Sequence, residues 1–341
     1  MKAVIYYNPE DIRIEDVPKP KIQPNEILVE MKACGICGTD LLEWYLKDRT
    51  PLVLGHEPTG IIAKTGKKVK GFKPGDHVFV HHHVACLTCH YCLHGDYTMC
   101  QQFTRTRIQP GGLAQYFRVP APNLQTDTLK IPENLTFEEA TLIEPTACCL
   151  RALIKCHIQP GDTVAIIGAG TSGILHTMLS KNLGASQIII SDPMEYRLEA
   201  AKRLGADLTI NPEKESLVRR VEEATDGRKA DVVIATAPST TALSEGINAC
   251  RKGGTLCLFA PTPPNEYIQI SPNELFFSEI QVVPSYSTSH VETRMALQLI
   301  SSGRVKGKEL ITHRFPLSRT SEAFKTAAKN KECLKVVVTN E

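Results

Sequence analysis

The chain has 341 residues, more than one ordinary hydrophobic core serves, so two domains are expected. A hydrophobic fraction of 42% and a charged fraction of 22% are those of a globular protein, and a formal net charge of +2 gives no electrostatic reason to expect nucleic acid as a partner. No apolar run approaches the roughly 20 residues that cross a bilayer, and the first residues lack the charged and apolar regions of a secretion signal, so a cytoplasmic protein without a membrane partner is expected.

The first 80 residues read as short strands joined by turns. Ala3–Tyr7, Ile12–Asp16 and Glu26–Ala33 are apolar or alternating runs, punctuated by Pro18, Pro20, Pro24 and Pro74-Gly75. Residues 111–123 continue this β-rich character. Thr136, with Glu139 three positions on, predicts a capped helix after Pro132. From Gln159 the rhythm changes. Thr163–Ile167 is a continuous apolar strand of the kind buried on both faces. Ile174, Leu175, Met178, Leu179 and Leu183 then fall at helical spacing. Gln187–Ser191 predicts a second strand, and Arg197–Leu204 a helix that Gly205 terminates. Asp231–Ala235 and Thr255–Phe259 predict two more buried strands. Alternating strands and helices imply a doubly wound parallel sheet, an α/β arrangement over residues 157–284. The tail from 285 returns to mixed character and ends in a strand-like Leu334–Val338.

Cys86, Cys89, Cys92 and Cys100 crowd one short stretch of a chain with twelve cysteines. Neighbours this close are poorly placed to bridge one another, whereas four thiolates on a tight loop suit a tetrahedral ion. Four sulfur ligands leave no coordination position open, the mark of a structural zinc. His90 and His94 lie in the same loop as substitute ligands that four thiols make unnecessary.

Gly168-Ala169-Gly170-Thr171-Ser172-Gly173 matches GxGxxG, a weak signal alone. Here it sits between a predicted buried strand and a predicted helix, the context its physics requires. The glycines allow a tight turn, and the helix start offers unpaired N–H groups to a pyrophosphate. The second strand is followed by Asp192, whose carboxylate suits the adenosine ribose of NAD and repels the extra phosphate of NADP. Arg197 is the counter-signal, since it is able to reach such a phosphate. Elsewhere Cys37, His56, Glu57 and Glu144 are a cysteine, a histidine and two carboxylates. Three such ligands hold a zinc with one position open for substrate, but spacing alone does not connect them.

A resemblance does. Cys37-Gly38-Thr39-Asp40, Gly55-His56-Glu57, the four-cysteine stretch, Gly112–Tyr116, Ile143-Glu144-Pro145 and Gly168–Gly173 together resemble the zinc-dependent medium-chain dehydrogenases over nearly the whole chain. Ile143–Pro145 and Thr312–Leu317 look most like the sorbitol (polyol) and butanediol branch. The resemblance implies a GroES-like β-rich catalytic domain of residues 1–156 and 285–341, with a Rossmann domain of residues 157–284 between its parts. It implies two zinc ions per chain, NAD(H), a small alcohol or ketone substrate, and a homo-oligomer, a tetramer or else a dimer. Cys37 and His56 match catalytic zinc ligands and Glu144 the third. Glu57 matches an acidic neighbour that binds zinc directly or faces a bound water. Thr39 matches the hydroxyl that passes on the substrate proton, and Asp40 the support of His56. Gly168, Gly170, Ser172, Gly173, Asp192 and Arg197 match positions that contact the dinucleotide.

Two departures bear on substrate. Leu42 stands where some alcohol dehydrogenases have a relay histidine. Ser285-Tyr286 stands where sorbitol dehydrogenases have an Arg-Tyr pair, which weakens the case for sorbitol itself. Arg105 and Arg107, with Tyr286, are candidate substrate contacts, and an arginine there suits an anionic or strongly polar substrate; surface arginines are the competing reading. A threonine or sugar-derivative dehydrogenase of the same family and a non-catalytic zinc-stabilised binding protein are the alternatives.

Overall fold

The computed structural model describes residues 1–340. The chain divides into two units, Met1–Ala147 with Ser287 onward, and Cys148–Tyr286. The helix Ile143–Lys155 carries the chain from one to the other. It runs unbroken through the division, so no breaker residue marks the boundary in sequence. Among the described residues no helix is long and apolar enough to cross a membrane.

The first unit is the GroES-like half. It begins with eight strands: β1 (Lys2–Asn8), β2 (Asp11–Asp16), β3 (Ile27–Gly35), β4 (Leu52–Val53), β5 (Glu57–Thr65), β6 (His77–Val80), β7 (Tyr116–Val119) and β8 (Thr128–Lys130). Strands β2, β1 and β4 form a small antiparallel sheet. In the larger sheet β3 pairs β5 along most of its length, and β7 pairs the beginning of β3. Alternation along β3 turns Ile27, Val29 and Met31 into a core with Leu113, Phe117 and Val80.

The second unit is the Rossmann half. Strands β9 (Thr163–Ile167), β10 (Gln187–Ser191), β11 (Leu208–Ile210), β12 (Ala230–Ala235), β13 (Cys250–Leu258) and β14 (Gln281–Pro284) lie in the order β11-β10-β9-β12-β13-β14. Every pairing is parallel. All five residues of β9 are buried, as its unbroken apolar run requires. From β9 the chain winds to β10 on one side and later to β12 on the other. The carboxyl end of β9 is therefore the switch point, where such sheets open a crevice for ligands. The predicted helix Arg197–Leu204 is observed as Glu195–Arg203.

The chain then completes the first unit with β15 (Ile311–Pro316) and β16 (Lys335–Thr339), and β16 pairs the end of β3 antiparallel. Three strands remote in sequence thus end side by side.

Candidate functional site

The register of these strands builds the first site. Gly35 on β3 stands opposite Glu57 on β5, and Val337 on β16 stands opposite Gly35. Cys37 follows the end of β3 and His56 precedes the start of β5, so antiparallel pairing delivers both to one end of the sheet. The ligand atoms of Cys37, His56 and Glu57 all lie within 4.8 Å of one another. Asp40, buried in a short 3-10 turn, fixes the first two. Its Oδ2 accepts from the Cys37 backbone N–H at 3.0 Å, and its Oδ1 lies 3.3 Å from His56 Nδ1. With Nδ1–H facing this carboxylate, Nε2 carries the free lone pair, the tautomer a metal needs. Burial opposes charge on His56, but Asp40 and the Cys37 sulfur hold its pKa well above the ordinary histidine value. A cysteine and a histidine brought this close and held by one carboxylate are a donor set suited to a cation.

Glu57 is wholly buried, and Lys335 from β16 reaches it with Nζ 2.8 Å from Oε1 and 2.5 Å from Oε2. The same ammonium donates to the Ile36 carbonyl at 3.0 Å. Burial raises the Glu57 pKa, Lys335 and His56 oppose this, and the nearby Glu144 charge adds to it. Glu144, buried at the start of its helix, is near enough to act on both Glu57 and Lys335 but lies outside the 4.8 Å set. Thr39 sits half-buried between Cys37 and Asp40.

Sequence reasoning missed Lys335. Its signal was a lone charge at the head of a buried apolar strand. It also missed His81, His82 and His83, a run just before the cysteine stretch. The rings of His82 and His56 are 5.1 Å apart and those of His82 and His83 4.0 Å. Burial, then the neighbouring imidazoles and the Arg107 charge, lower the His82 pKa well below normal. Burial and the same neighbours take His83 down to about 3, against the hydrogen bond to the Thr106 carbonyl that favours its charged form. Arg105 and Arg107 are both exposed; Arg107 is the one whose charge reaches these rings.

The second site is local. The Sγ atoms of Cys86, Cys89, Cys92 and Cys100 lie within 4.8 Å of one another. Cys86 and Cys92 are 3.9 Å apart and Cys89 and Cys92 3.6 Å. A tetrahedron with Zn–S bonds of about 2.3 Å has S···S edges of roughly 3.8 Å, so the four sulfurs fit zinc. Backbone N–H groups and the Thr88 hydroxyl lower the Cys86 pKa, while burial and the facing Cys89 raise that of Cys92. Such crowded thiols ionise together only around a cation. Phe103 packs beneath them. His90 and His94 stack on each other at 4.3 Å outside the sulfur set.

The third site lies in the second unit. After β9 the chain turns through Gly168, at φ +104°, into the helix Thr171–Asn182. A Cβ on Gly173 would stand 1.8 Å from the Gly168 carbonyl oxygen, so only glycine lets the helix start this close to the strand. Gly170 takes the N-cap position, and Thr171, Ser172 and Gly173 form the first turn, the end of a helix that favours an anion. Asp192, after β10, accepts from the Ala169 N–H at 2.8 Å and the Met194 N–H at 2.9 Å, and Arg197 lies 3.6 Å from it. Tyr286 is 46% exposed at the end of this unit.

A GroES-like sheet carrying a Cys-His-Glu constellation and a four-sulfur lobe, in one chain with a parallel sheet and a glycine turn, defines a zinc-binding dehydrogenase. The alcohol dehydrogenase GroES-like domain model matches residues 23–133, and the zinc-binding dehydrogenase model matches residues 172–302. The chain belongs to the zinc-dependent medium-chain dehydrogenases, in the branch of the sorbitol and butanediol dehydrogenases. Sorbitol dehydrogenase of Bacillus subtilis (strain 168) is 35% identical to it over 348 residues, covering 99% of this chain and 97% of the relative. Alcohol dehydrogenase TADH from Thermus sp. ATN1 superposes with a TM-score of 0.89 at 30% identity, covering 100% of both chains. The 2R,3R-butanediol dehydrogenase of Bacillus subtilis gives a TM-score of 0.87 at 26% identity, covering 100% of this chain and 99% of its own. The protein is thus a zinc-dependent oxidoreductase of alcohol or polyol groups that uses a nicotinamide cofactor.

Proposed function

We propose that the protein transfers hydride between a secondary CH–OH group of a polyol-type substrate, or the matching ketone, and NAD(H). The observation that carries this reading is the double grip of Asp40 on Cys37 and His56, which orients two metal donors at once. Cys37, His56 and Glu144 would hold the catalytic zinc, with Glu57 as the alternate carboxylate. To enter the metal shell Glu57 would have to give up its pairing with Lys335. Cys86, Cys89, Cys92 and Cys100 would hold the structural zinc. When bound, the catalytic ion supplies Lewis acidity, polarising the reacting oxygen and easing its deprotonation. The Thr39 hydroxyl would relay that proton, accepting it on oxygen as it gives up its own proton toward solvent. Asp40 keeps the His56 tautomer fixed, and Lys335 neutralises the buried Glu57 carboxylate.

For the cofactor, Gly168, Gly170, Ser172 and Gly173 cradle the pyrophosphate, and Asp192 takes the ribose. Arg197 stands against Asp192, so its charge is already partnered, which favours NAD over NADP. Arg107, rather than Arg105, contacts the substrate, and Tyr286 remains a candidate at the substrate border. The edge strand β14 carries exposed Val282, and Tyr267, Phe276 and Phe277 are 84%, 75% and 71% exposed in the same unit. We assign this apolar edge to self-association, as a tetramer or a dimer, in the cytoplasm. The test is an NADH-production screen over polyols, diols, hydroxy amino acids, sugar alcohols and their phosphates, with NADP in parallel. Turnover of a polyol or diol with NAD at least about tenfold faster than with NADP is expected. Absence of turnover across the panel would reject the reading.

A further inference from the structure

A cavity of about 750 Å³ opens within the second unit, at the end of the sheet opposite the glycine turn. The parallel strands share one direction, and Gly168 follows the carboxyl end of β9. The cavity is lined instead around the amino ends of the neighbouring strands. Lys229 lies just before β12, Cys250 at the start of β13 and Ile280 just before β14. It is therefore separate from the crevice at the switch point. Its volume falls within the roughly 300–1,000 Å³ of small-molecule sites.

The charged part of the lining is mostly cationic: Arg228, Lys229, Arg251 and Lys252, with Glu274 as its one acid. A single carboxylate, Asp231, holds Arg228 at 2.7 Å and Arg251 at 2.5 Å. Arg228 also donates to the Thr163 hydroxyl at 3.2 Å, and Arg251 to the Lys252 carbonyl at 2.7 Å. These bonds use only part of the five N–H groups on each guanidinium. Lys229 lies 3.4 Å from Glu222, and among the described residues no carboxylate pairs with Lys252. Three carboxylates thus stand against four cations, and a positive excess remains. Burial pushes the Cys250 thiol up to about 12, against the Lys229 and Arg251 charges, so it stays neutral and does not repel an anion. Ile247, Leu275, Phe277 and Ile280 give the same cavity an apolar surface. Phe277 is shared with the edge assigned to self-association, which places the cavity beside that edge.

We propose that this cavity binds a small organic anion, a carboxylate or phosphate carried on an apolar body, apart from substrate and cofactor. The two arginines, positioned in advance by Asp231, supply charge-assisted hydrogen bonds to the anionic group. Ile247, Leu275 and Phe277 take the apolar body. An inorganic anion uses only the first half of this site, and a neutral aromatic only the second.

Isothermal titration calorimetry on the zinc-loaded protein saturated with NADH tests this, with phenyl phosphate and benzoate as probes. Inorganic phosphate and anisole, each carrying one half of the chemistry, are the comparison ligands. At least one probe is expected to bind saturably at one per chain, at least about tenfold tighter than either comparison ligand. The tighter of the two probes names the anionic group. Lys252→Glu should weaken that probe at least about tenfold, and Glu274→Gln should tighten it about two- to fivefold. Ser244→Trp, on the helix Thr240–Ala249 that lines the cavity, should abolish binding by filling the space. All three positions are exposed, so the fold is not at stake in these variants. Absence of saturable binding up to about 10 mM of both probes overturns the proposal. So does probe binding that is unchanged in Lys252→Glu and Ser244→Trp.

Discussion

The two candidate zinc sites are assembled in opposite ways. In the cysteine lobe, all four sulfurs come from residues 86–100, and their geometry is set by one short loop over Phe103. At the Cys37 centre, β3, β5 and β16 bring residues 37, 56, 57 and 335 together through strand register alone. A local site of this kind is closed by its own ligands. A distributed site inherits its precision from a sheet, which also supplies Lys335, and from the turn after β3, which supplies Asp40. On the proposed function the lobe serves stability and the sheet-built centre serves chemistry.

Breaking each site separately should expose that division. Cys37→Ser should lower kcat/KM by at least about 1,000-fold, roughly 4 kcal/mol of transition-state stabilisation, with little change in melting temperature; steady-state kinetics and a thermal melt read the two. Lys335→Met strands the Glu57 carboxylate in the core and should cost about 3–5 kcal/mol in denaturant unfolding. Adding Glu57→Gln should restore much of that loss, since no uncompensated charge is then buried. Cys92→Ser should release the lobe zinc and open residues 86–105 to proteolysis, while residual turnover of the zinc-loaded centre stays within about tenfold.

The smallest effect lies in the second unit. Asp231 accepts from the Thr163 N–H at 2.8 Å, from Arg228 at 2.7 Å and from Arg251 at 2.5 Å. Burial works to raise its pKa, but the two arginines and the Thr163 N–H outweigh it and hold the pKa below the ordinary aspartate value. A depressed carboxylate pKa stabilises the fold fully above the unfolded value of about 4, and the contribution is lost as pH falls through the folded value. Asp231→Asn should therefore lower stability by about 1–3 kcal/mol at pH 7. Urea titrations at pH 7 and pH 3 should show the gap between variant and wild type closing in acid.

The same contrast explains how much of the protein was legible in its sequence. Cys86, Cys89, Cys92 and Cys100 announce a tetrahedral ion because ligand spacing is local chemistry. The glycine turn after Ile167 is readable because β9, the turn and the helix start are contiguous. The β-rich first half and the alternating second half follow from periodicity, and the helix at Thr136 from its capping box, which the structure forms with Glu139. Cys37, His56 and Glu144 were connected only by family resemblance, since nothing in a one-dimensional pattern encodes which strands end together. Lys335 escaped altogether, because a lysine at a strand head reads as a solvated end until Glu57 is placed opposite it. The three histidines escaped for a related reason: alternation sends each ring to a different environment, and only the fold shows which one faces His56.

Whether one chain holds two chemically distinct metal centres is read from the zinc content of the purified protein measured alongside that of Cys37→Ser. Two zinc ions per chain are expected in the wild type and one in the variant. One zinc in the wild type, or a Cys37→Ser protein that keeps both, would contradict that expectation.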